Sequence, residues 1–153
     1  MSLLAKVVAV CALATNTPEA KTVCIDVAQS AERSGVDPLL AVAIAYKETH
    51  FRPRPGDGGK SRGVLQVSPY YHCPNRQAKG CDMLEAGIRY MRTLSHATVL
   101  TTPKKIHKIK PSERVAYHVA CHYKGGHTCG SASKASAYRV VRTMRKMRKA
   151  VEQ

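Results

Sequence analysis

The chain has no tryptophan and one phenylalanine, Phe51, among its 153 residues. Seven tyrosines supply the rest of its aromatic content, so the largest core fillers are scarce. Ala, Val, Leu and Ile must pack the interior, which favours closely spaced helices over an aromatic-rich sandwich of strands. Acidic residues are few as well: 10 Asp+Glu stand against 25 Lys+Arg, a formal charge of +15 with His neutral. Such a chain should seek a polyanion, whether nucleic acid, an anionic membrane face or an anionic wall polymer. No uncharged apolar run approaches the roughly 18 residues of a membrane span, which argues against an integral membrane protein. What remains, 44% hydrophobic and 23% charged residues, is an ordinary globular balance at a length that suits one domain.

The first fourteen residues admit two readings. Lys6, the apolar run Val7 to Ala14 and an Ala12-x-Ala14 site resemble a short secretory signal. The alternative is a first helix packed by its apolar face.

Six cysteines fall as Cys11, Cys24, Cys73, Cys81, Cys121 and Cys129, with separations of 13, 8 and 8 between neighbours. An even number in close pairs suits three local disulfides, Cys73–Cys81 and Cys121–Cys129 above all, and hence an oxidising compartment. Zinc is a second reading, since His72, His122 and His127 lie beside cysteines, but no pair has the short C-x-x-C type of spacing. Buried free thiols are a third.

The punctuation is that of a mainly α chain. Thr17-Pro18-Glu19 reads as N-cap, first-turn proline and acidic first turn of a helix to about Ser34, closed by Gly35. Asp37-Pro38 opens a second helix to about Phe51, which must stop before Pro53. A Pro/Gly-rich loop, 53–62, follows. Further helices are expected from about Asp82 to Ser95, Pro111 to Tyr123 and Lys134 to Ala150, with a basic connector from Pro103 to Lys110. The chain divides into N-terminal helices (1–35), a core (36–130) and a basic C-terminal helix (131–153), all within one compact domain. On that last helix Val140, Met144, Met147 and Val151 form an apolar stripe, while Arg139, Arg142, Arg145, Lys146, Arg148 and Lys149 occupy much of the remainder. The stripe suits docking; the basic face suits solvent, or adhesion to an anionic partner.

Chemistry concentrates on the second helix. Leu40, Ile44 and Glu48 recur every four residues, so the carboxylate shares a face with two apolar side chains. Desolvation and the helix C-terminus both disfavour its charged form, as a carboxylic acid that donates a proton near neutrality requires. The alternative is an exposed Glu48 paired with Lys47 or Arg52.

Glu48-Thr49-His50-Phe51-Arg52-Pro53, followed by Gly63-Val64-Leu65-Gln66-Val67-Ser68-Pro69, resembles the signature of soluble lytic transglycosylases and their goose-type lysozyme relatives. That family shows E-S-x-F/W-x-P and then G-L-M-Q-x-x-P, with the glycine fifteen residues past the glutamate; here 63 − 48 = 15. Met83-Leu-Glu-Ala-Gly87-Ile-Arg-Tyr90 is similar to the family's N-I-x-x-G-x-x-Y-L segment. Ala120-Cys-His-Tyr-Lys-Gly125 sits where the family has A-A-Y-N-A-G. The likeness covers about residues 36–126, and the first two segments are the specific ones. Asn is replaced by Met83, and the Tyr-Asn pair by His122-Tyr123.

The resemblance implies a lysozyme-like helical domain with a substrate cleft that cuts the β-1,4 bond between N-acetylmuramic acid and N-acetylglucosamine in bacterial peptidoglycan. Glu48 would be the catalytic acid, then the base that closes a 1,6-anhydro ring. Thr49, Gly63, Val64, Leu65, Gln66, Tyr70, His122 and Tyr123 would contact substrate, Gln66 through an N-acetyl group. A lysozyme-type hydrolase would need a second carboxylate, for which Asp57 in the glycine-rich loop is the candidate; Asp also favours such turns for its own sake. No cofactor and no metal are implied. Localisation would be the periplasm, the extracellular wall or a phage particle. Anionic wall polymer and outer-membrane lipid are further partners, and a nucleic-acid-binding or virion structural protein on the same scaffold is the rival class.

Overall fold

The computed structural model describes residues 2–100 and 104–152. Met1, and Pro103 at the expected start of the basic connector, lie outside the described residues. The chain is mainly helical: α1 (Leu3–Ala14), α2 (Pro18–Arg33), α3 (Pro38–Thr49), α4 (Pro69–His72), α5 (Met83–Leu100), α6 (Arg114–Gly125) and α7 (Ser131–Glu152). Short 3-10 turns at Asp57–Gly59, Pro74–Arg76 and Pro111–Glu113 punctuate the loops. Among the described residues the only β-type pairings are isolated bridges, Gly56 with Ser61 and Arg62 with Val67.

Local chemistry sets the helix ends. Thr17 Oγ1 accepts from the Ala20 amide at 3.1 Å, and Pro18 takes the first turn, where its missing N–H costs nothing. Gly35, at φ +71°, ends α2: its amide donates to Glu32 O and the Val36 amide reaches back to Ala31 O at 2.9 Å. Asp37 Oδ1 then caps α3 through the Leu39 amide at 2.9 Å. Helix α3 stops two residues before Phe51, because His50 (φ 52°) and Phe51 (φ 63°) both turn left-handed and drop the Phe51 ring into the core. Helix α5 runs five residues past Ser95, with no Gly or Pro there to stop it.

Helix α3 is buried continuously from Pro38 to Ala45. It packs against α1, α2 and α7, while α6 bridges α5 and α7. The alanines at 41, 43 and 45 leave little side-chain bulk, which lets neighbouring helices approach closely. One contiguous apolar cluster runs from Val7 to Met147. Helix α1 buries Val7, Val10 and Cys11 against this cluster. Of the α7 stripe, Val140, Met144 and Met147 are buried and Val151 half-buried. Among the described residues no helix is long and apolar enough to cross a membrane.

All six cysteines pair with their sequence neighbours. Cys11–Cys24 ties α1 to α2, Cys73–Cys81 closes the loop before α5, and Cys121–Cys129 ties α6 to the approach of α7, with Cα–Cα distances of 5.7, 5.6 and 5.5 Å. Sulfurs bonded to each other are not thiolate ligands, so the zinc and free-thiol readings give way to the disulfide one. Bridges of this kind persist in oxidising, extracellular-type surroundings. Unreduced protein in denaturant should therefore titrate no thiols, and six after reduction; six before reduction would reject the bridges.

Candidate active site

Glu48 sits in the last turn of α3 with its side chain 12% exposed, and its Oε1 lies 2.8 Å from Lys47 Nζ. The expected ion-pair alternative is thus present with Lys47, but in a largely buried setting. The next residue fastens the helix end. Thr49 was expected at the substrate; it is instead buried, donating its hydroxyl to Val64 O at 2.8 Å and, more weakly, to Ala45 O at 3.3 Å. Its role in this arrangement is to hold α3 against the glycine-led segment.

That segment is a tight turn. Arg62 and Val67 exchange both backbone hydrogen bonds, at 2.9 and 3.1 Å, and enclose residues 63–66. Gly63 is required twice over: its φ is +77°, and a Cβ would come within 2.9 Å of Met83 Cβ. Val64 and Leu65 point into the core rather than to a ligand. Leu65 seats directly on α5 at Gly87, where any Cβ would stand 2.6 Å from Leu65 Cδ1. The glycine of the third resembling segment is therefore a packing residue for the second. Gln66 (φ 50°) commits its side-chain amide nitrogen to the Arg54 and Gly63 carbonyls, the latter at 2.9 Å, which pins the 53–62 loop.

Helix α6 completes the arrangement. Tyr123 Oη donates to Leu65 O at 2.6 Å, linking α6 to the same turn. Burial, then the nearby Glu48 carboxylate, then Tyr90 push its phenol well above the ordinary value of 10, so at neutral pH it is a proton-bearing donor. His122, one residue earlier, turns the other way: its Nδ1 contacts Gly126 O at 2.7 Å, and it does not line the site. Tyr70 also stays outside, 53% exposed, with its hydroxyl and ring both taken by Arg76.

The residues that do converge enclose a cavity of about 260 Å³. Glu48, Asp57, Gln66, Tyr71 and Tyr123 line it, as do His72, Tyr90 and Lys124. Asp57 (φ 49°) opens the 57–59 turn and accepts from Ser61 Oγ at 2.9 Å. His72, Tyr90 and Tyr123 form an aromatic ladder with centroid spacings of 4.4 and 5.3 Å. Burial, and then Arg89, hold the His72 imidazole below its usual range, which keeps it neutral near pH 7. Tyr90 stood within a resembling segment. His72 did not, and its only sequence signal was its place beside Cys73, which suggested metal instead. Two carboxyl groups, Glu48 and Asp57, and a wall of ring faces suit a polar ligand with apolar faces, such as a sugar.

Comparison of the chain with protein families, curated proteins and solved structures finds no match.

Proposed function

We propose that this protein is a lytic transglycosylase of lysozyme-like fold, cleaving the β-1,4 bond between N-acetylmuramic acid and N-acetylglucosamine in bacterial peptidoglycan. The observation that carries the reading is convergence. Glu48, Gln66, Tyr90 and Tyr123 come from the four separate segments that resemble that family, and all four line one cavity. In its protonated form Glu48 donates to the leaving glycosidic oxygen as the C1–O bond breaks. The resulting carboxylate takes the proton of the muramyl 6-hydroxyl, whose oxygen closes on C1 to give the 1,6-anhydro ring. The Tyr123 hydroxyl, donating to Leu65 O, braces the turn beside this carboxyl group, and the Tyr90–His72 rings supply a face for the sugar. The disulfides fit a site of action in the periplasm, the wall or a virion.

A hydrolytic reading has one observation in its favour: Asp57 lines the same cavity as Glu48 and could direct water to C1. Mass spectrometry of digested peptidoglycan separates the two. Transglycosylation should give 1,6-anhydro products; hydrolysis gives reducing ends heavier by one water. Intact glycan strands after digestion would reject both readings and leave the basic charge to a nucleic-acid or virion structural role.

A further inference from the structure

A second cavity, of about 710 Å³, shares no residue with the one at Glu48. It lies between the basic connector and the C-terminal part of α7, two stretches that the sequence separates by more than thirty residues. The connector is held against α7 by named bonds. Tyr138 Oη donates to His107 O at 2.8 Å, Arg145 Nη2 donates to Lys108 O at 2.7 Å, and Ile109 is buried in the core. Lys108 accepts a left-handed φ of 61° at this hold point. The groove is therefore built rather than incidental.

Its charge is one-sided. Arg145 and Glu113 neutralise each other, at 2.7 and 2.6 Å. That leaves Lys105, Lys108, Lys110, Lys149 and Arg148 against Glu152, a net of 5 − 1 = +4, with none of the five in an ion pair among the described residues. Four of the five are lysines, exposed point charges on flexible stems that suit mobile phosphates better than a fixed bidentate ligand. No Tyr or Phe lines the groove and its one ring is the His107 imidazole, so the successive bases of a nucleic acid would find a single stacking face at most. Exposed large apolar side chains are sparse beside it: Leu3 stands next to Arg148 and Glu152 at one end, while Leu13, Tyr70 and Tyr71 lie elsewhere, so a lipid surface would find one anchor rather than an apolar face.

The geometry points to a docking groove for a polyol-phosphate wall polymer, a flexible chain of phosphodiesters without bases or acyl tails. The polymer's identity as a wall component rests on the wall-cleaving reading; the phosphate chemistry does not. The groove would hold the enzyme on the wall while the Glu48 cavity works on glycan.

The test uses the full disulfide-bonded chain and purified poly(glycerol phosphate), which contains no glycan to cleave. Wild-type protein should bind it, with affinity falling about 50-fold between roughly 50 and 200 mM salt if about four phosphates are neutralised. Joint replacement K105Q, K108Q, R148Q, K149Q should weaken binding at low salt by about tenfold or more. A control that removes the same charge elsewhere, K134Q, R139Q, R142Q, K146Q, should change it less than about threefold. Glu48→Gln should bind as wild type does, so loss of catalysis and loss of docking are read separately. Equal losses in the two quadruple variants would mean overall charge and no groove. Tighter binding to duplex DNA of equal phosphate number, or to phosphatidylglycerol vesicles, would overturn the wall-polymer assignment in favour of that partner.

Discussion

Glu48→Gln should abolish clearing of peptidoglycan in a zymogram while leaving the helical fold and the three disulfides intact. The amide is nearly isosteric and keeps an oxygen that accepts from Lys47 Nζ, now 2.8 Å from Oε1, so that contact survives as a hydrogen bond to a charged group. What it cannot do is give up a proton to the leaving oxygen, a contribution of about 10² to 10⁴ in rate. Turnover of a soluble muropeptide oligomer by wild type and variant at equal concentration measures the loss. Full activity in the variant would remove Glu48 from the chemistry.

A second large effect is expected at Glu113, far from that cavity. Its carboxylate is 3% exposed and accepts from Arg145 Nε and Nη2 and from the Lys110 amide at 2.9 Å. The Arg145 hydrogen bonds, helped by the Lys110 amide and both positive charges, outweigh burial and hold its pKa at about 2 rather than 4.5. Because the folded value is depressed, the stabilisation is complete above about pH 4.5 and is lost as pH falls through about 2. The difference corresponds to about 3 kcal/mol. Glu113→Ala should cost about 3–5 kcal/mol at pH 7, since Arg145 loses its partner and the connector loses its anchor. Urea unfolding at a series of pH values tests both statements. Wild type should lose stability steeply between pH 5 and 2, and the variant should lose about 3 kcal/mol less over that range. Parallel curves would show that Glu113 carries no linkage.

The pattern of helices was legible because it is written in local chemistry. Proline at 18 and 38, glycine at 35 and the preceding Thr17 and Asp37 act within a turn of where they stand. Helix α4, four residues long, has no periodicity to read and was missed. The site was legible in its ingredients rather than its orientations. Adjacent residues on a helix differ by about 100° in direction, so the choice between His122 and Tyr123 awaited the packing of α6 on the Leu65 turn. Thr49 shows the same limit: a hydroxyl beside the acid could face ligand or core, and the Val64 carbonyl decides it. Arg145 looked like any other member of the basic face of α7. Only the fold brings it to a buried carboxylate thirty-two positions earlier, so it cannot serve adhesion as its neighbours can.

The three bridges also bear on how the chain reaches its native form. They join first to second, third to fourth and fifth to sixth cysteine, over 13, 8 and 8 residues, and no bridge spans another. A chain emerging from its N-terminus meets each correct partner before any wrong one beyond it has appeared. Loops of this length close in about 10–100 ns, far faster than a thiol pair is oxidised, so encounter never limits the pairing. Thiols oxidised in order of emergence would need little reshuffling, and passage through a narrow export channel would itself enforce the native connectivity.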